Sequence, residues 1–152
     1  MESGGISLNK YIERFGNFTD THYSVKNLQF MIIVKKSLEL LQYFHGAGLI
    51  HRDIKPHNIT IKPETMDVFL IDFGLAVRYV GARHSDIQRM NFAGTIYFAP
   101  RAAHRKNMQT PRDDIESLCY CLIYITTALP WRGIPIGDDK HDRLRQMKED
   151  FL

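Results

Sequence analysis

The stretch "HRDIKPHN" at positions 51 to 58 and the triplet "DFG" at 72 to 74 bring two aspartates, a lysine and an asparagine into one short span. These residue types suit phosphoryl transfer, in which a protein does little covalent chemistry and much positioning. Such a site needs oxygen ligands for a cation on the phosphates, an acceptor for the attacking hydroxyl's proton, and a positive charge near the moving phosphoryl group. Asp53 is the candidate that orients the hydroxyl and accepts from it, and Lys55 is the candidate contact to the phosphate. Asn58 and Asp72 are the candidate magnesium ligands, because both offer the oxygens that this cation prefers. Either motif alone is weak, since short patterns arise by chance; both in this order, with a hairpin between them, are a strong signal.

The elements that must position these residues can be read from spacing. "ITIK" at 59 to 62 and "DVFLI" at 67 to 71 flank a Pro-Glu-Thr-Met turn and read as a small β-hairpin that ties the two motifs together. Leu8, Tyr11, Ile12 and Phe15 recur at helical intervals after a capping Ser7, which predicts a short surface helix ending at Gly16. A longer helix is predicted from Ser24 to the glycines at 46 and 48, with Leu28, Ile32, Leu38, Leu41 and Phe44 directed into the core. Residues 74 to 94 show little periodicity and read as a long loop. A nearly all-apolar helix, started by Asp113 or Asp114 and ended by Pro130, is expected at the centre of the core. The tail after Gly137 is charge-dense and reads as a solvated helix.

Composition narrows the class. A chain of 152 residues with 44% hydrophobic content can bury one ordinary core. The net charge of +3 is spread along the chain, which suits anionic ligands without requiring nucleic acid. Cys119 and Cys121 read as reduced core thiols, two apart on a helix and therefore pointing apart. His45 and His57 match no usual metal-ligand spacing. No apolar run reaches the roughly 20 residues of a membrane span, and the start has no secretory signal. The expectation is an intracellular protein, cytoplasmic and/or nuclear, with neither a nucleic acid nor a membrane as partner.

On these motifs the chain resembles the C-terminal lobe of a eukaryotic protein kinase, from about Gly4 to about Trp131. "GTIYFAP" at 94 to 100, "RDDIESL" at 112 to 118 and "LPW" at 129 to 131 most resemble the casein kinase 1-like group. The resemblance implies a protein-kinase-like (α+β) fold: a mainly helical C-lobe with a small β-hairpin and the N-lobe missing. It makes residues 1–152 a partial kinase domain, with 1–5 a hinge remnant and 132–152 a charged tail. It implies ATP and Mg2+ as cofactors and protein substrates with a Ser or Thr acceptor, because Lys55 stands two residues after Asp53 as in serine/threonine kinases. By the same resemblance Asp53, Lys55, Asn58 and Thr95 are catalytic, and Thr60, Asp72, Phe73 and Gly74 belong to the nucleotide site. His51 and Phe73 match the lower part of the family's regulatory hydrophobic column. Asp114 matches the aspartate that braces the backbone at His51 and Arg52.

The departures are as informative. Arg101 stands where kinases usually carry a glutamate that forms a buttressing ion pair, and Thr60 stands where a leucine usually floors the adenine site. Arg52, Arg83 and Arg89 suggest an anion pocket favouring acidic or already phosphorylated substrates. Nothing in the 152 residues resembles the Gly-rich loop over ATP, or the lysine and glutamate pair that grips its phosphates. The expected product is therefore a Ser/Thr protein kinase in a truncated form, weakly active or inactive by itself. Self-association is expected through an exposed apolar face around Ile50, Phe73 and Leu75. The rival readings are a catalytically silent kinase-derived binding module, a truncated gene model whose full product is an ordinary kinase, and a small-molecule kinase of the aminoglycoside or choline type. The last shares the first aspartate and the asparagine but fits Arg52, Lys55 and "GTIYFAP" poorly.

Overall fold

The computed structural model describes residues 5–16, 25–79, 81, 91–134 and 139–151. Ser24, Arg83, Arg89 and residues 80 and 82–90 of the 74–94 loop lie outside the described residues, and with them the expected helix start and two of the three arginines of the expected anion pocket. Strand β1 (Ile6–Ser7) leads directly into helix α1 (Leu8–Phe15), whose first turn is capped where the Ser7 hydroxyl accepts the Lys10 N–H at 3.3 Å. Leu8 and Tyr11 are the buried residues of α1.

Helix α2 (Val25–Gly46) buries a narrower stripe than its sequence promises: Ile33, Ser37 and Leu41, four residues apart. Leu28 is 64% and Leu38 43% exposed, which corrects their expected place in the core. The helix is apolar all round, but β2, β4 and α4 cover one side of it, so periodicity alone could not choose the stripe.

Two small antiparallel pairs follow. Strand β2 (Leu49–Ile50) pairs with β5 (Val77–Arg78), and β3 (Ile59–Lys62) pairs with β4 (Asp67–Leu70) as the predicted hairpin. Strand β1 adds to the other edge of β3, Ser7 opposite Thr60. Gly5 allows this close approach, since a Cβ there would sit 2.1 Å from the Ile61 carbonyl oxygen. The consequence is topological. Residues 51–58 run from β2 to β3 and residues 71–76 run from β4 to β5, so each motif is pinned at both ends by strands that pair with the other motif's flanks. The sequence reading found the hairpin and missed β1, β2 and β5, because two-residue strands are too short for alternation to register.

After the short helix α3 (Arg101–His104), helix α4 (Pro111–Thr126) supplies the centre of the core through Leu118, Tyr120, Cys121 and Ile125. It starts at Pro111, not at Asp113 or Asp114. Thr110 is the N-cap, and the Asp113 carboxylate takes the Thr110 N–H at 2.6 Å and its hydroxyl at 2.9 Å. It also ends at Thr126, ahead of Pro130. Cys121 is buried as expected, whereas Cys119 is exposed; both are free thiols. Trp131 is fully buried, edge-on to Tyr120, and its indole N–H donates to the Tyr97 carbonyl at 2.9 Å.

Helix α5 (Lys140–Phe151) overturns the expectation of a solvated tail. It packs on α3, and both Leu144 and Lys148 have no exposed surface. The charge density that suggested solvation masks a two-residue buried stripe. No helix among the described residues is long and apolar enough to cross a membrane.

Candidate active site

At the end of β2, the backbone must turn sharply to present the 51–58 loop. Arg52 adopts φ 66°, a left-handed conformation that costs a non-glycine residue energy and persists only where the surroundings hold it. Asp114, in the first turns of α4, holds it. One carboxylate oxygen accepts the Arg52 N–H at 2.9 Å; the other accepts the His51 N–H at 2.8 Å and bonds His45 Nε2 at 2.9 Å. Asp114 is 2% exposed, so these bonds replace the water it has lost. Gly94 is the second support. It adopts φ 110°, and a Cβ there would sit 2.7 Å from the Arg52 carbonyl oxygen. Gly94→Ala is therefore expected to destabilise the fold by about 1 to 3 kcal/mol, read as a lower urea midpoint with shifted Arg52 and Asp53 amide resonances. An unchanged midpoint would remove Gly94 from this role.

His51 is fully buried and its two nitrogens are assigned by their partners. Nδ1 accepts the Asp53 N–H at 3.3 Å, so Nε2–H donates to the Ile71 carbonyl at 3.2 Å. One imidazole thus bridges the two motifs. Its ring lies 5.4 Å from that of Phe73, and Phe44 completes the cluster at 5.6 Å from Phe73. Two more links join the same loops: Ile71 N–H to the Asn58 carbonyl at 3.0 Å and Arg52 Nε–H to the Leu75 carbonyl at 2.7 Å.

The Asp53 carboxylate is bonded on both oxygens. Oδ1 accepts the Thr95 hydroxyl at 2.8 Å; Oδ2 accepts Lys55 Nζ at 2.6 Å and Asn58 Nδ2 at 3.2 Å. Lys55 also donates to Thr95 Oγ1 at 3.0 Å, closing a triangle of Asp53, Lys55 and Thr95. Burial pushes the Asp53 pKa up, but the hydrogen bonds from Lys55 and Thr95, with the Lys55 charge, outweigh it and leave it below the usual carboxylate value. Asp53 is thus ionised at neutral pH and suited to orienting a hydroxyl. The stability it contributes is present above the ordinary carboxylate range and is lost as acid carries the pH through the lowered value.

Asn58 spends its amide N–H groups on Asp53, the carbonyl at 2.9 Å as well as Oδ2, which leaves its Oδ1 without a protein donor among the described residues. Asp72 follows Ile71 with φ 61°, is exposed, and takes the Gly74 N–H on one oxygen at 3.3 Å. A free amide oxygen and an exposed carboxylate, on segments joined by the Ile71–Asn58 bond, fit a hard divalent cation. Thr60 is buried in β3 between Ser7 and Phe69, and its hydroxyl has no protein partner among the described residues.

One expectation needs correction. Ile50 is 2% exposed and belongs to the interior; Phe73 and Leu75 are exposed as expected, together with Phe69 and Ile71 just before them in sequence. Arg101, which cannot supply the carboxylate of the family's usual buttressing pair, forms a different one: its backbone N–H, Nε and Nη2 all bond Glu116 of α4, at 2.8, 3.1 and 3.3 Å. The sequence reading did not find the parts played by Phe44 beside Phe73, by His45 on Asp114, or by Lys148. Phe44 and His45 carried a signal, lying together at the end of a helix that leads into the motif. Lys148 carried none.

A protein kinase domain family model matches residues 2–151. The chain is 33% identical over 126 residues to a probable casein kinase I homolog of Encephalitozoon cuniculi, an alignment covering 79% of this chain and 39% of that protein. The chain therefore spans well under half the length of this relative. The bracing of Arg52, the triangle at Asp53 and the family match over nearly every residue agree: this chain belongs to the protein kinase domain family, and its likeness within that family is to casein kinase 1.

Proposed function

We propose that the chain carries the phosphate-transfer half of a Ser/Thr protein kinase active site, using ATP and magnesium to phosphorylate protein substrates. One observation carries the reading: the ionised Asp53 carboxylate is held by Thr95, Lys55 and Asn58, while Asn58 Oδ1 and the Asp72 carboxylate remain for a cation. Bound magnesium-ATP supplies the phosphoryl group and the charge that offsets its negative oxygens. Asp53 orients the acceptor hydroxyl and receives its hydrogen bond. Lys55, 2.6 Å from Asp53, keeps a positive charge beside that hydroxyl's line of approach. Thr95 fixes the separation of the two by bonding both. Thr60, Phe73 and Gly74 complete the nucleotide side of the site by the family pattern, and the exposed Phe73 face is the surface through which copies self-associate.

Binding of ATP is expected to be weak and to require magnesium. Each of Asn58→Ala and Asp72→Ala should weaken it at least about ten-fold, the equivalent of one charge-assisted contact. Calorimetric titration with ATP, with and without magnesium, tests this. Equal affinity in the presence of chelator and in both variants would rule these residues out as the metal pair.

A further inference from the structure

The most deeply buried ammonium among the described residues lies outside the site. Lys148 of α5 has no exposed surface, although an ammonium is among the groups most costly to bury. Its Nζ lies 2.6 Å from the Ala99 carbonyl, 3.2 Å from the Ile96 carbonyl and 3.0 Å from His104 Nε2, and sits over the rings of Tyr120 and Trp131 at 4.9 and 5.4 Å. Three donors thus meet three acceptors, with two aromatic faces closing the remaining sides. An apolar residue would fill this space at lower desolvation cost, so packing alone does not explain the amine.

Its two carbonyl partners do. Ile96 directly follows Thr95, and the Phe98 and Ala99 N–H groups both return to the Thr95 carbonyl at 2.8 Å, so residues 95–99 form one tight turn. We propose that Lys148 is a positioning residue for the transfer reaction: by clamping the Ile96 and Ala99 carbonyls it holds the turn that aims the Thr95 hydroxyl at Asp53 and Lys55. The inference rests on the kinase reading above. It assigns α5 a role in the active site from a distance, through backbone and not through contact with substrate.

The clamp is also tied to protons. His104 and His141 face each other, Nδ1 to Nδ1, at 3.1 Å. With Lys148 charged, His104 accepts on Nε2 and its Nδ1–H donates to His141. With Lys148 neutral, the amine donates to the two carbonyls and accepts from His104 Nε2–H, and the direction of the imidazole pair reverses. Both states satisfy Lys148 Nζ, the two His104 nitrogens and His141 Nδ1, but the neutral state loses the charge-assisted grip on the turn. The titratable and charged groups around the amine are His104 on α3, Glu116 and Tyr120 on α4, and His141 and Arg145 on α5. The neighbouring Arg101 and Arg105 are paired with Glu116 and Glu149. Burial lowers Lys148 to about 7, the Glu116 charge opposing it, and burial with the Lys148 charge lowers His104 to about 3. The clamp therefore loosens as pH rises through neutrality. Stability runs the other way: between about 7 and the ordinary value of 10.5 the unfolded chain holds a proton that the folded chain has lost, so this group's contribution rises with pH.

Nuclear magnetic resonance of protein carrying labelled lysine and aspartate side chains tests the proposal. In the wild-type chain, the Lys148 Cε signal and the Ile96 to Ala99 amides should titrate together with a midpoint near neutrality. In Lys148→Met the Asp53 carboxyl should titrate about one pH unit higher, a ten-fold gain in proton affinity, because Thr95 no longer holds it. The exposed Gln146→Ala on the same helix should leave it unchanged. A Lys148 that titrates near its ordinary value, amides that ignore it, or an unmoved Asp53 in a folded Lys148→Met would overturn the proposal. If Lys148→Met does not fold, the wild-type titration decides. Neither readout involves phosphate transfer, so a chain that shows this coupling yet transfers no phosphate would sink the kinase reading and leave the coupling intact.

Discussion

Replacing Asp114 by alanine should lower the unfolding free energy by about 3 kcal/mol or more, since two buried backbone donors lose their acceptor at about 1 to 3 kcal/mol each. The donors are the His51 and Arg52 N–H groups, and His45 loses its partner as well. The loss is compounded at Arg52, whose left-handed backbone is strained and has no reason to persist without the carboxylate. For a chain of this size the expected fall in melting temperature is about 6 to 12 °C. Asp114→Asn keeps one acceptor oxygen and should lie between alanine and wild type. A denaturation midpoint in Asp114→Ala equal to that of the wild type would show that the bracing contributes nothing.

What the sequence made legible was local and chemical. "HRDIKPHN" and "DFG" are readable because the residue types must be those and the spacing is short, and the hairpin between them has four-residue strands with a turn signal. The His51 bridge was less accessible: its role depends on which nitrogen meets Asp53 and which meets Ile71, and that is a matter of geometry. The α2 stripe was misjudged because a helix apolar on all sides gives periodicity nothing to select. Lys148 was unreadable for the opposite reason. Seen in "KHDRLRQMKEDF", it is one charge among many, and only the carbonyls of a turn 49 to 52 residues earlier distinguish it from its neighbours. Arg101 is a third case: the family pattern says only that the usual glutamate pair cannot form there, and the pair with Glu116 depends on how α3 meets α4, which the pattern does not contain.

The second large effect is expected at Asp53. Its carboxylate is ionised and held on both oxygens, and a positioned acceptor of this kind contributes about 10²- to 10⁴-fold to proton-coupled transfer. Asp53→Ala should therefore remove transfer while leaving most of the fold, because its bonding partners Lys55 and Thr95 still bond each other. The sequence holds no counterpart of the family's phosphate-covering loop and lysine, so the 152-residue chain by itself should show no measurable turnover, its bound phosphate being poorly aligned and open to water. The most direct measurement is transfer of labelled phosphate from ATP to casein and to a Ser/Thr peptide library by the chain joined to a casein kinase 1-type N-terminal lobe, beside its Asp53→Ala variant and the bare chain. The expected result is label on serine and threonine with the fusion alone; a well-folded fusion that transfers nothing, or transfer that survives undiminished in Asp53→Ala, would contradict the account.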